Sequence, residues 1–293
     1  MLREVHPELD VTYFEVHADP IVAQNDVYRD AIRNADIILT QPVHEGYRGR
    51  TDLSTDWVRN EAKPGCEVIV IPALHFEGHH PGFGGLGLGN LTTCSLTAHL
   101  VAMGVPSGVI VDLLLSTDLL SEDVVKEEVR LSLQEMKLRE DRENVDIPMW
   151  SIAQHIGGPT QFFHIVNHPT RPLYAHLLTK VLHRLFQPQR DVPARGKDYQ
   201  SNPHVPVLPA IVQHSARLSE LPDGWNLDPD YEVRVPNRPS MTQRVYYETM
   251  IAQLSEHSRD AVLSAIREKP RAMAFLGRLA KANLAIPGID IWA

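Results

Sequence analysis

Three short stretches concentrate side chains able to bind ligands or move protons. The first follows a run of β-branched residues and carries His75, Glu77, His79 and His80 within six positions. His75 and His79 stand at i,i+4 spacing with Glu77 between them, a set that could hold a metal ion. Gly78 and Pro81 interrupt the helix such a pair needs, and no HExxH or cysteine set accompanies it. The expectation is therefore no metal, with histidines that serve the loop or contact substrate. The second stretch, Gln41-Pro42-Val43-His44-Glu45-Gly46-Tyr47-Arg48-Gly49, offers an amide, a phenol and a guanidinium fork. Those groups suit an anionic or polyhydroxylated ligand; the competing reading is a surface turn with Arg48 in a salt bridge. The third, Asn167-His168-Pro169-Thr170, fixes a histidine between asparagine and proline. It is placed either as a general base or as a histidine satisfied by backbone partners.

Other features argue for less. The Gly-rich segment GFGGLGLG at 82–89 does not fit GxGxxG on a strand-to-helix turn, and no GK[ST] follows, so it reads as a flexible loop. No GxSxG elbow is present. Cys94, at the expected start of a helix, could have a lowered pKa, but a packing role in the interior suits its apolar setting better.

The elements that must position these stretches follow from periodicity. Val68 to Ile71 lack polar alternation, as a parallel strand buried on both faces does. The expected strand spans Glu67–Leu74, preceded by a helix at 53–62, a strand at 35–40 and a helix at 19–34. This β-α-β order predicts a right-handed parallel crossover sheet. Val11–Val16 reads as a further strand, and residues 1–9 as a helical stub. In a parallel sheet such a stub follows an earlier strand, so it is either a capping tail or the sequel to a strand upstream of Met1. Helices are expected at 92–103, 107–115 and 121–142, the last with a solvated charged face. A short helix at 151–156, a strand at 161–166 and a helix at 172–186 come next. Residues 187–240 read as an extended connector with an apolar segment at 205–212, and helices at 241–266 and 271–284 close the chain. The fold class is α/β: an N-terminal parallel β-α-β sheet, layered as in SGNH or Rossmann-like folds, with a large helical C-terminal portion. The α/β core is assigned to 1–90 and 145–186, a helical insertion to 91–144, and the connector with C-terminal helices to 187–293.

Length and composition bound the function. The 293 residues are 43% hydrophobic and 22% charged, with a net charge of −9, which argues against broad phosphate neutralisation on nucleic acid. A local basic pocket for a phosphorylated ligand stays open. Two cysteines, Cys66 and Cys94, are too few for a disulfide scaffold. With no signal peptide and no 18-residue apolar run, a soluble cytoplasmic protein is expected, with no membrane insertion.

Taken together, Q-P-V-x-x-x-Y-R-G at 41–49, I-P-A-L-H-F-E-G-H-H-P at 71–81 and F-x-x-x-N-H-P-T at 163–170 resemble the WcbI family of polysaccharide-biosynthesis proteins. The similarity runs from about residue 10 into the C-terminal helices. It implies a protein that binds coenzyme A and transfers an acetyl or other acyl group from the thioester to a sugar hydroxyl of a surface glycan such as a capsule. Coenzyme A or acetyl-CoA would be co-substrate and the glycan the acceptor. On that reading His168 is the base and Asn167 orients it or stabilises the oxyanion. Arg48, Tyr47 and Gln41 bind the cofactor, and Phe76, His79 and His80 line the substrate pocket. The family tends to have an aromatic residue where His79 stands. It also opens with a strand ending in Gly-Asn-Cys-Gln, whose cysteine is the suspected catalytic thiol. The present sequence begins after that point, so direct transfer without an acyl-enzyme is the corresponding expectation. Two alternatives remain: a non-catalytic CoA- or glycan-binding relative, and an SGNH-like esterase.

Overall fold

The computed structural model describes residues 1–15, 26–89, 91–150, 163–186, 189–193, 205–214, 232–233, 239–286 and 289–292. In chain order the first elements are α1 (Leu2–Val5), α2 (Asp26–Asn34), β1 (Ile37–Thr40), α3 (Thr55–Glu61) and β2 (Glu67–Val70). Then come β3 (Phe83–Gly84), β4 (Thr93–Cys94), α4 (Ser95–Ala102), α5 (Ser107–Leu114) and α6 (Glu122–Glu143). They are followed by β5 (Phe163–Ile165), β6 (His168–Pro169), α7 (Arg171–Leu185), α8 (Pro209–His214) and β7 (Glu232–Val233). The last are β8 (Met241–Thr242), α9 (Gln243–Ser255), α10 (Arg259–Arg267) and α11 (Pro270–Lys281). The chain divides into two compact units. The first takes Met1–Leu74, Glu135–Gln154 and Pro172–Gly196; the second takes His75–Gln134, His155–Arg171 and Lys197–Ala293.

The first unit is α/β. β1 and β2 pair in parallel, from Ile37 opposite Glu67 to Thr40 opposite Val70. α3 forms the crossover, entered through Ser54, whose side chain accepts from the Trp57 amide. Tyr28, Ile32, Ile38, Leu53 and Val58 form the core there, with Phe14 and Trp57 packed on it. Beyond the register the Val70 amide donates to Asp146 Oδ2 at 2.7 Å, and the Asp146 amide donates to the Val70 carbonyl at 2.8 Å. These bonds satisfy the strand end that Pro72 prevents from continuing, so β2 stops at Val70 rather than at Leu74. α1 is a single turn that packs Met1, Leu2 and Val5 against Ala175, Leu182 and Val192. In α7, Leu173, Leu177, Val181 and Leu182 are buried, as its apolar spacing predicts, while Leu178 and Leu185 are half-buried.

The expected strand at 11–16 is not formed over residues 11–15, where the backbone joins no ladder and Tyr13 is exposed. β propensity becomes a strand only where a partner edge exists. The expected helix starts at 19–25, like the short helix at 151–156, lie outside the described residues.

The second unit is mainly helical. α4 is apolar nearly all round and packs against α5, α9, α10 and α11, as a central helix must. The expected helix at 241–266 is two helices. Ser258 accepts from the Ala261 amide and starts α10, ending the run that Thr242 caps at its other end. Side-chain capping at an internal serine interrupts a helix that periodicity alone would continue. The apolar segment 205–212 is buried throughout and contains the start of α8. α6 carries the expected surface pairs, Lys126 with Glu122, Arg130 with Glu127 and Lys137 with Asp141. Two of its glutamates nonetheless point inward. Glu128 is buried in a fork with Arg278 of α11; Glu140, in the part of α6 that belongs to the first unit, is buried and accepts from the amides of Met149 and Trp150.

Candidate functional site

Residues 75–84 form a strap in the second unit, mostly buried and held by backbone hydrogen bonds. Two turns follow one another: the His80 amide donates to the Glu77 carbonyl at 2.8 Å and the Phe83 amide to the His80 carbonyl at 3.0 Å. The Ser95 amide then donates to the Gly82 carbonyl at 2.8 Å, fixing the strap to the start of α4. Gly82 has φ +72, and a Cβ there would lie 2.4 Å from the Phe275 ring. A Cβ at Gly78 would lie 2.5 Å from Phe76 and 3.0 Å from the Val129 backbone. These glycines buy close approach rather than mobility.

The strap holds a hairpin. β5 and β6 pair antiparallel, with Phe163 opposite Pro169 and Ile165 opposite His168. The strand expected at 161–166 is thus one arm of a hairpin that turns back at Val166 and Asn167. The Phe76 amide donates to the Val166 carbonyl at 2.7 Å, and the Phe76 ring stacks on Phe163 at 5.8 Å. His80 has no exposed surface, and its Nε2 lies 3.2 Å from the Phe163 carbonyl. Since a carbonyl only accepts, Nε2 carries the proton. Burial drives the His80 pKa down to about 4, against the opposing pull of the Phe163 carbonyl, so the ring is neutral at pH 7. His79 is also buried and meets the Phe76 ring edge-on at 4.9 Å.

The structure thus brings Phe76, His79 and His80 together with the hairpin that bears Asn167 and His168. Asn167 is exposed at the turn and His168 is half-buried, with its Nδ1 in the interior. Thr170 and Arg171 follow as buried residues, and the spacing of the motif gave no hint of the buried arginine. Glu77 is engaged by Arg271 and lies 3.8 Å from His75 Nε2. Among the described residues, no group of three or more His, Cys, Asp or Glu side chains stands in a metal-holding arrangement.

Gln41, Tyr47 and Arg48 lie in the first unit, on the loop that leaves β1. Gln41 and Arg48 are exposed and Tyr47 is half-buried, its ring edge-on to His44 at 5.6 Å. The loop is anchored to α3 through Thr55, whose Oγ1 accepts from the Val43 amide and whose amide donates to the Val43 carbonyl. Gly46, Arg48 and Gly49 all have positive φ, with Arg48 at +54. A non-glycine residue held there costs about 1–2 kcal/mol, strain of the kind kept at functional loops. Just beyond it, an open groove is lined by Arg29 and Arg50, both bound to Asp52, and by Arg33, which pairs with Glu61. Sequence reasoning passed over these arginines, although Arg29 and Arg33 at i,i+4 put two like charges on one helix face.

Neither thiol is activated. Cys94 is buried, and burial raises its pKa against the pull of nearby Thr97 and Leu96. The Cys66 thiol is also pushed up, first by burial.

The family described as polysaccharide biosynthesis enzyme WcbI matches residues 1–190, more than half of the chain. The chain belongs to the WcbI family. The match spans every candidate residue above, from Gln41 to His168. A solved structure of WcbI, described as a polysaccharide biosynthesis enzyme in its native form without a disulfide bond between coenzyme A and one of its cysteines, has the same fold. It shares 20% identity at a TM-score of 0.77, covering 95% of this chain and 93% of that one. No curated protein matches. Among the described residues no helix is long and apolar enough to cross a membrane.

Proposed function

We propose that this family member binds an acyl-CoA and transfers its acyl group to a glycan hydroxyl in the cytoplasm. The observation that carries the reading is the strap-braced hairpin, which places half-buried His168 beside exposed Asn167 in a chain whose family makes polysaccharide. His168 Nε2 takes the proton of the acceptor hydroxyl as its oxygen attacks the thioester carbonyl carbon. The C–O bond forms, the C–S bond breaks, and the CoA thiolate leaves to be protonated by the imidazolium. Asn167 supplies an amide donor to the developing oxyanion, a contribution of about 3–4 kcal/mol where such donors have been removed elsewhere.

Phe76, His79 and His80 serve this site by holding the hairpin's shape. The raised thiol pKa values favour direct transfer over a route through Cys66 or Cys94. Calorimetry with acetyl-CoA, paired with a generic ester tested without CoA, separates the readings. Saturable acetyl-CoA binding with CoA release on adding a glycan acceptor supports transfer. Binding without release indicates a non-catalytic relative, and ester hydrolysis without CoA an esterase.

A further inference from the structure

The chain carries a net charge of −9, yet one groove of the first unit collects three arginines. It encloses about 480 Å³ and is lined by Arg29, Arg33, Gly49, Arg50, Asp52 and Trp57, together with Thr51. Its organisation goes beyond ordinary surface ion pairing. Asp52 has only 9% side-chain exposure and binds two arginines at once. Arg29 donates to Oδ2 through Nε at 3.2 Å and Nη2 at 2.7 Å, and Arg50 donates to Oδ1 through Nε at 2.8 Å and to Oδ2 through Nη2 at 2.5 Å. Two guanidiniums tied to one carboxylate are fixed side by side, their rotamer entropy already spent on the fold.

Arg33, one turn along α2 from Arg29, faces Glu61 in the same way, through Nε and Nη2. Each of the three therefore turns its Nε–Nη2 edge to a carboxylate. Each Nη1, with two N–H donors, has no carboxylate partner among the described residues. At i,i+4 on α2, Arg29 and Arg33 bring two like charges onto one helix face. Gly49 lines the groove without a side chain, with φ +74 and nothing within 4 Å of where a Cβ would stand. The backbone is open to a bulky ligand there, and Trp57 supplies a flat apolar flank.

We infer that this groove is a phosphate-binding site. The unused N–H donors of Arg29, Arg33 and Arg50 would grip the terminal phosphate or diphosphate of a phosphorylated ligand. Planar forks presenting several donors are the groups that recognise phosphate. The inference is independent of the transfer chemistry proposed above. The same phosphate chemistry occurs in the 3′-phosphorylated nucleotide end of coenzyme A and in a nucleoside diphosphate sugar, and the ligands tested distinguish these sources.

The experiment is calorimetric titration of the full chain with pyrophosphate, CoA, dephospho-CoA and UDP-glucose at low and high salt. It is repeated on Arg33→Ala, Arg33→Lys and Arg50→Gln. The expected result is at least a tenfold loss of affinity in Arg33→Ala for whichever phosphorylated ligand binds, partly restored in Arg33→Lys, with a weaker salt dependence. CoA binding tenfold tighter than dephospho-CoA assigns the groove to the 3′-phosphate. UDP-glucose as the tighter, arginine-dependent ligand assigns it to the sugar donor, and the groove then stands while the CoA reading falls. Since Arg50→Gln leaves Asp52 short of a partner, its melting curve is recorded alongside. Should it unfold, the half-exposed Arg33 decides the question. Equal affinity of wild type and Arg33→Ala for every ligand overturns the groove, with CoA binding in that case leaving the transfer reading intact. Absence of binding by all four ligands overturns it as well.

Discussion

At the scale of single residues, His80 and His168 are opposites. His80 is buried, neutral and bound to the Phe163 carbonyl, whereas His168 is half-buried and next to an exposed asparagine. His168→Ala is expected to lower turnover at least a hundredfold while moving the thermal midpoint by no more than about 2 °C. A large drop in the midpoint would instead make His168 a structural residue. His80 has a pH signature. Its folded pKa of about 4 lies below its ordinary value of 6.5, so between those values the unfolded chain binds a proton that the folded chain refuses. Its contribution to stability is therefore complete above pH 6.5 and lost on acidification towards pH 4, on the order of 3 kcal/mol in full. Urea unfolding at pH 7.5 and 5.0 should show this fall. In His80→Phe much of the pH dependence should vanish, whatever the variant's baseline stability.

At the scale of elements, the strap and α6 decide most. The Gly82 conformation leaves no room for a side chain, with Phe275 at 2.4 Å from the would-be Cβ and φ at +72. Gly82→Ala is expected to cost about 2–4 kcal/mol, whereas Gly84→Ala, with open space around it, should be near neutral. Paired urea titrations would separate them. Glu128→Ala removes the buried half of the pair with Arg278 and should cost on the order of 2–4 kcal/mol. Glu127→Ala, from an exposed pair, should cost less than about 1 kcal/mol; equal losses in the two variants would contradict this assignment.

The same elements show what sequence makes legible. The run Val68–Ile71 and the spacing of Leu173, Leu177 and Val181 announce β2 and α7, because burial imposes a period on the residues themselves. The inward turn of Glu128 and Glu140 is invisible by that route, since a charged helix face reads as solvated until Arg278 and the Met149 amide are placed beside it. The hairpin at Phe163–Pro169 was hidden too. Its residues look like those of a core strand, and only the ladder with His168 and Pro169 shows that the chain reverses. Val11 to Glu15 failed in the other direction, having strand-like residues and no edge to join.

At the scale of the whole molecule, three motifs read from sequence led to the family that residues 1–190 match, and the α/β class with a large helical portion is present. The structure joins two of those motifs, the strap at 75–84 and the turn at 167–168, within one unit. It adds an arginine groove that no motif contained, because Arg29 and Arg50 are far apart in sequence and meet only through Asp52. The acid limb of stability should carry Asp52 as well. Its pKa is held down to about 2 by Arg50 and then Arg29, so its contribution is present above the ordinary carboxylate value of 3.8 and lost as the pH falls towards 2.

The most direct measurement of the central claim is release of free CoA thiol from acetyl-CoA in the presence of a glycan acceptor, wild type against His168→Ala. Acceptor-dependent release by the wild type, with the variant binding acetyl-CoA equally well but releasing at least a hundredfold more slowly, is the predicted result. Release at the same rate by both proteins, or none by the wild type with any acceptor, would contradict it.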